Sequence, residues 1–509
     1  MALFAGALLL GGVVTAGYLA GSKMDALTFP RAFPQALSNA ITVSSLEMAP
    51  AKGIRLQPVA LSFNEAINID EDIKPFVPSA AYNIIYKTIR EELRQGRPTY
   101  ALKLLSADPM AKKIKNAEYD RLRGAIAQSY LTEGHTEKAM EVAKMSSQRS
   151  KHEAPSAAWV GGIAAWKMNN FAEAADFFST AADSSRSTSW LKSASAFWAS
   201  RSYNKLGDAA KSDEYLEVAA RYPRTFYGLI ALRSLDRDYD FNWDRPDLSS
   251  KSKRSLEASA SVQEAVRLSK KGEISGAMSK LGASGWLDRG VKQRQLLAYV
   301  LAHDAPALAM HLGRLTKSEQ GQFYDAALYP EAPWDPEHGY MVDRALVNAL
   351  IRQESRFNPK AANASGATGL MQLMPSTASY MAKGIDVSLM THPQTNISVG
   401  QKYVRHLLLD RSVNNDLFHM AIAYNAGPGN LAKWKKKFAD IDDPLLFIES
   451  IPSSETRAFV ERVMVNYWIY RIRMGKDNPS LDAVAAGERV EYIDAKRDDH
   501  AIQVAFETN

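Results

Sequence analysis

Between Ala80 and Tyr329 apolar residues recur at helical spacing almost without interruption, and the pattern itself repeats. Gly96, Gly134, Asn170 and Gly207 each follow an amphipathic run, and successive positions are 38, 36 and 37 residues apart. Five places beyond each lies a small residue, Ala101, Ala139, Ala175 or Ser212, and Gly272 with Ala277 recurs later. Gly and Asn are the residues that close a helix in the left-handed conformation. The spacing therefore predicts helix–turn–helix units stacked into an α-solenoid, whose curved surface suits a polymer or a protein partner. The aromatics Trp159, Trp166, Phe177, Phe178, Trp190, Phe197, Trp198, Tyr203 and Tyr215 fall where stacked helices pack, and are read as core.

A different pattern begins at Leu346. Leu346, Leu350 and Glu354 are spaced i, i+4, i+8 and share one helix face, which puts a carboxylate at the end of an apolar stripe. Burial raises a carboxyl pKa, and a Glu kept protonated in this way is a general acid near neutral pH. The alternative is a helix-terminal Glu facing solvent or paired with Arg352 or Arg356. Asn358-Pro359 is expected to end the helix. Ala361 to Gly369 follows with no bulky side chain, a loop that lets a large ligand approach the backbone. Leu370 to Met374 alternates as a short strand would, with Gln372 opposite Met371 and Leu373. Pro375 suits the first turn of another helix.

The run ES…NP.A…GA.GLMQLMP, from Glu354 to Pro375, resembles the core motif of the soluble lytic transglycosylase (SLT) family, bacterial enzymes that cleave peptidoglycan. Three further blocks follow in the family's order. Asn396-Ile397 with Gly400 and Tyr403 resembles NI..G..Y, Ala423 to Pro428 is similar to AYNAGP, and Ile451-Pro452 with Glu455-Thr456-Arg457 and Asn466-Tyr467 resembles IP..ETR…NY. The resemblance covers the last third of the chain. It implies a lysozyme-like α+β catalytic domain behind a mainly α, TPR-like superdomain.

Composition narrows the partners. The 509 residues carry a net charge of +6 with a pI near 9.0, which favours anionic partners; peptidoglycan qualifies, and no nucleic-acid motif accompanies the charge. Absence of cysteine excludes disulfides, thiolate metal sites and cysteine nucleophiles. The nine histidines show no metal-ligand spacing, so neither metal nor cofactor is expected. Ala2 to Ala20 is uncharged and apolar, as in a signal peptide or an uncleaved inner-membrane anchor, which predicts periplasmic location. The expected order is a signal peptide or anchor over 1–22, a Pro-containing linker over 23–78, the helical-repeat superdomain over 79–335, the catalytic domain over 336–475 and a polar tail over 476–509. The repeats are expected to meet cell-envelope proteins, and the N-terminus the membrane.

Glycoside cleavage ordinarily uses two carboxylates. The loop and the GLMQ segment contain none, and Glu455 is the one remote candidate; it is read either as substrate-binding or as an ion-pair partner of Arg457 or Arg356. A lone acid suits what the resemblance implies. Glu354 protonates the oxygen between N-acetylmuramic acid and N-acetylglucosamine, then takes the C6 hydroxyl proton as that oxygen attacks C1, leaving a 1,6-anhydro sugar. The resemblance also implies that Gln372, Tyr424 and Asn425 line the cleft, with Met374 as an apolar wall. Asn363 stands where many members carry Ser, and Phe459 where Tyr is more usual. The competing functions are a lysozyme-like muramidase and a non-catalytic wall-binding scaffold.

Overall fold

The computed structural model describes residues 76–493 apart from 283 and 289. The apolar run from Ala2 to Ala20, the linker as far as residue 75 and the end of the tail lie outside the described residues. The regular structure of the described chain is helical; its β component is limited to isolated bridges such as Ala362 to Thr368 and Thr368 to Leu373.

The repeat read from the sequence sets the first helices. Gly96, Gly134, Asn170 and Gly207 each sit in the turn of a hairpin: Ala80–Arg94 with Pro98–Ala107, Asn116–Glu133 with Thr136–Ser150, Pro155–Lys167 with Phe171–Ala182, and Ser189–Lys205 with Ala209–Ala220. The three glycines adopt positive φ of 67° to 91°. Asn170 instead caps the next helix through its side chain, behind a left-handed Asn169. The small residue five places on is buried in every repeat, which lets adjacent helices approach closely. At the tightest crossing a Cβ on Gly162 would lie 2.4 Å from the Phe178 ring. Trp159, Trp166, Phe177, Phe178, Phe197 and Trp198 are buried there, with the Trp166 and Trp198 rings edge to face at 5.0 Å. Trp190, Tyr203 and Tyr215 pack half-buried at the margin.

Two apolar cores result. Helices Ser250–Ala258, Ala260–Lys270, Ile274–Gly282, Val291–Leu301 and Pro306–Gly313 enclose one of their own around Leu256, Leu281, Leu297 and Leu308. The hairpins share the other with Phe226 to Phe241, with Ala307 and Met310, and with the buried apolar residues between Leu328 and Tyr492. The seam between them is the helix Phe226–Ser234, which packs on Ser454–Arg473 and Pro479–Ala485. Phe226 is fully buried, stacks on Trp468 at 5.4 Å and meets Phe418 at 5.9 Å. Tyr227 donates to Glu449 at 2.6 Å, and Arg201 pairs with Asp443 at 2.5 Å. The start of the expected tail belongs to the same core. Val490 is buried, its carbonyl accepts from Leu417 N–H, and Tyr492 OH accepts from Asp343 N–H. The sequence reads polar there because only a few residues, Leu481, Val484, Val490 and Tyr492, supply the core packing.

Phe226→Ala should lower stability by about 3–5 kcal/mol, the usual cost of emptying a large aromatic site in a core. Thermal unfolding compared with Leu206→Ala, a truncation at an exposed position, would show it; equal melting temperatures would refute a shared core.

Candidate active site

Glu354 is the last residue of the helix Arg344–Glu354, whose residues from Ala345 to Arg352 are all buried. Both ends of that helix are tied to Ser454–Arg473. At its start Asp343 caps Ala345 N–H, pairs with Arg471 at 2.5 Å and accepts from Tyr467 OH at 3.4 Å. Near its end Arg352 donates to Leu328 O and to Asn466 Oδ1 at 2.7 Å, with its guanidinium 4.1 Å from the Tyr329 ring centre. Arg352 is thus spoken for, and neither it nor Arg356 forms an ion pair with Glu354 among the described residues.

The helix stops at Glu354, four residues before the expected Asn358. Arg356 and Phe357 are both left-handed, with φ of 51° and 63°. Such residues cost energy and persist where surrounding structure dictates them; here Phe357 is driven into the core at 1% exposure. Glu354 keeps part of its surface exposed, yet protein crowds the carboxyl. Burial pushes its pKa up to about 8, and the Glu455 carboxylate adds to the rise. A group with that pKa is mostly protonated at neutral pH.

The small-residue loop folds on itself. Asn363 Oδ1 accepts from the N–H groups of Ser365 and Ala367, and Gly369 N–H donates to Ala361 O at 2.8 Å. The expected strand at Leu370–Met374 is instead a tight turn closed by the Thr368–Leu373 bridge. Gly369 at φ 85° and Gln372 at φ 44° bend it, which alternation of side chains does not encode. Gln372 Nε2 donates to Ala361 O and Gly369 O, so its amide hydrogens serve the loop and its Oε1 remains as an acceptor. Met371 is core and Met374 is half-buried.

Tyr424 and Asn425 come from the end of Leu417–Ala426. Tyr424 OH donates to Met371 O at 2.7 Å; its pKa is held well above 10 by burial and by the nearby Glu354. Its ring stacks on Phe459 at 6.1 Å and meets Tyr403 at 5.5 Å. Asn425 Oδ1 accepts from Thr456 Oγ1 at 2.8 Å, leaving Nδ2 as its donor. Glu455, the neighbour of Thr456, is exposed in the first turn of Ser454–Arg473. Arg457 faces Glu449 and Glu461 rather than Glu455. The structure thus gathers Glu354, Tyr424, Asn425 and Glu455, and sets Gln372 and Met374 on the adjoining turn. Asn363 lies in the exposed loop.

Residue-level reading of the sequence gave no task to Asn396, whose buried amide staples the turn. Its Oδ1 accepts from Met371 N–H, and its Nδ2 donates to Thr368 O and Met390 O. A signal was present, because Asn396, Gly400 and Tyr403 share one helix face at i, i+4, i+7. Gly400 belongs to the same device, since a Cβ there would lie 2.3 Å from Met371 Sδ.

A buried acid at a helix end, under a self-folded loop and beside an amide-bearing helix, is the lysozyme-like architecture, here joined to a helical superdomain. Residues 334–446 match the family model described as Transglycosylase SLT domain. The soluble lytic murein transglycosylase of Escherichia coli K12 is 39% identical over 149 residues, covering 28% of this chain and 23% of that protein. Its counterpart in Salmonella typhimurium is 38% identical over 144 residues, covering 27% and 22%. The chain therefore aligns with less than a quarter of the length of these curated relatives. The crystal structure of the 70 kDa soluble lytic transglycosylase from Escherichia coli superposes with a TM-score of 0.62 at 21% identity, covering 89% of this chain and 71% of that one. An inactive mutant of lytic transglycosylase Slt from Pseudomonas aeruginosa gives 0.60 at 21%, covering 89% and 70%. These likenesses show the fold.

The raised acid makes a stability prediction with a definite sign. Its folded pKa of about 8 exceeds its ordinary 4.5, so its favourable contribution is full below pH 4.5 and is lost as pH rises through about 8. Glu354→Gln should match the wild type in melting temperature near pH 4 and exceed it increasingly up to about pH 8. A gap that stays constant across this range would show that Glu354 titrates normally.

Proposed function

We propose that this protein is a lytic transglycosylase that cleaves the bond between N-acetylmuramic acid and N-acetylglucosamine in peptidoglycan and leaves a 1,6-anhydro end. The observation that carries the reading is a carboxyl held protonated at the end of an apolar helix, inside the segment that matches the SLT family. Protonated Glu354 gives its proton to the glycosidic oxygen as the bond to C1 breaks. The resulting carboxylate then takes the C6 hydroxyl proton as that oxygen closes on C1, so the acid is regenerated and no water is consumed. Proton transfer of this kind contributes about a hundred- to ten-thousandfold.

The neighbours have supporting roles in this scheme. Tyr424 is anchored on Met371 O and presents its hydroxyl oxygen beside Glu354. Asn425 Nδ2 and Gln372 Oε1 are a donor and an acceptor for N-acetyl and hydroxyl groups, and Asn363 adds a further amide from the loop. Met374 walls the sugar site. Burial, with Glu455 adding to it, keeps the acid loaded at neutral pH. The basic charge of the chain favours the acidic wall polymer, and the cell envelope is where that polymer lies. The hairpin array then serves to steer a strand or to dock an envelope protein.

The nearness of Glu455 to Glu354 favours one competing reading, a muramidase in which Glu455 activates water. Product analysis separates the two. Purified peptidoglycan should yield anhydromuropeptides; reducing ends in their place would establish hydrolysis. Glu354→Gln should fold and lose at least about a hundredfold in turnover. The wild-type rate should fall as pH rises through about 8, where Glu354 gives up its proton; a rate still climbing at pH 9 would remove Glu354 from the role of acid.

A further inference from the structure

We infer that Arg457 is a positioning residue for this reaction, and that through it the helical array holds the wall of the cleft that carries Asn425, Glu455 and Thr456. The inference rests on the reading of Glu354 as the acid. Arg457 sits two residues beyond Glu455 in the first turns of Ser454–Arg473 and is 8% exposed. Its Nη1 donates to the carbonyl of Ile451, which pins the bend at Ile451-Pro452 against the helix that follows. That bend decides where Ser453, Glu455 and Thr456 begin. Ser453 Oγ accepts from Thr456 N–H, and Thr456 Oγ1 reaches Asn425 at 2.8 Å.

Behind Arg457 lie two more buried carboxyls, Glu449 and Glu461, at 7% and 8% exposure. The proposed chemistry uses neither. Glu449 accepts from the hydroxyl of Tyr227 at 2.6 Å, and Tyr227 belongs to the array. Arg457 also lines a narrow apolar crevice with Ile89, Leu93 and Leu122 of the first array helices. Burial holds both carboxyls above the ordinary carboxyl range, and the Arg457 guanidinium faces both. The carbonyl of Ile451 is the direct hydrogen-bond partner of this guanidinium, and the crevice sets it beside the array. The docking of the array is thereby passed to the cleft over two covalently adjacent residues.

Two variants of the full chain test this. Arg457→Lys keeps the charge and loses the planar fork, and Tyr227→Phe removes a single hydroxyl. The groups facing Glu354 are Glu455 and Tyr424, so displacement of the wall should lower the Glu354 midpoint from about 8. Carboxyl-labelled glutamate NMR reads that midpoint, with the resonance assigned through Glu354→Gln. In Arg457→Lys the midpoint should drop and kcat on peptidoglycan should fall roughly ten- to a hundredfold at little change in KM. Tyr227→Phe should show the same direction with a smaller loss. A merely structural role would lower the melting temperature and leave the midpoint in place. Folded Arg457→Lys with unchanged midpoint and kcat overturns the inference; if that variant fails to fold, an unchanged midpoint in Tyr227→Phe does so. A midpoint that moves in a protein whose wild type releases no anhydro product would keep the positioning role and remove the proposed reaction instead.

Discussion

The buried contact between Asp343 and Arg471 is the constraint on which the rest of the site depends. Arg471 is 1% exposed and Asp343 equally buried, and each would be a severe liability alone. Together, with Tyr467 and Lys476 adding to the knot, they fix the first turn of the acid helix to the long helix Ser454–Arg473. A second tie, Arg352 to Asn466, fixes the last turn to the same long helix one face further along. A rod pinned at both ends cannot slide or roll. Glu354, two residues past the second tie, therefore meets its neighbours at a set depth, and depth is what sets its pKa.

Much of this was legible in the sequence, and the reasons differ by element. The repeat was readable because each hairpin turn needs a left-handed or capping residue and each crossing needs a small one, both local demands. Glu354 was readable because helical spacing alone places it on the apolar face. The turn at Gly369–Gln372 was not, since a polar Gln372 between Met371 and Leu373 suits a strand as well as a tight loop, and the distant Asn396 decides between them. Residues 476–493 were also opaque. Their composition is polar, and their place in the core rests on a few side chains and on backbone hydrogen bonds to Asn415 and Leu417.

The strain in the structure sits where the site needs it. Two consecutive left-handed residues, one of them a buried phenylalanine, end the acid helix and release the loop. That costs free energy which the ties at Asp343 and Arg352 hold in place. The loop itself carries bracing through Asn363 and Gln372, which adds to the staple that Asn396 supplies from its helix.

The seam between the array and the acid-bearing segment has a consequence for how the chain is made. Tyr227 and its partner Glu449 are 222 residues apart. At a synthesis rate of roughly 5–20 residues per second, an array emerging first would wait on the order of ten to forty seconds for the surface it must bury. During that interval Phe226 and Tyr227 have no Trp468 or Glu449 to meet, and a sticky aromatic face stands open on the nascent chain. A protein whose two halves share one core gains a rigid cleft and, with it, a need for protection while it is being born.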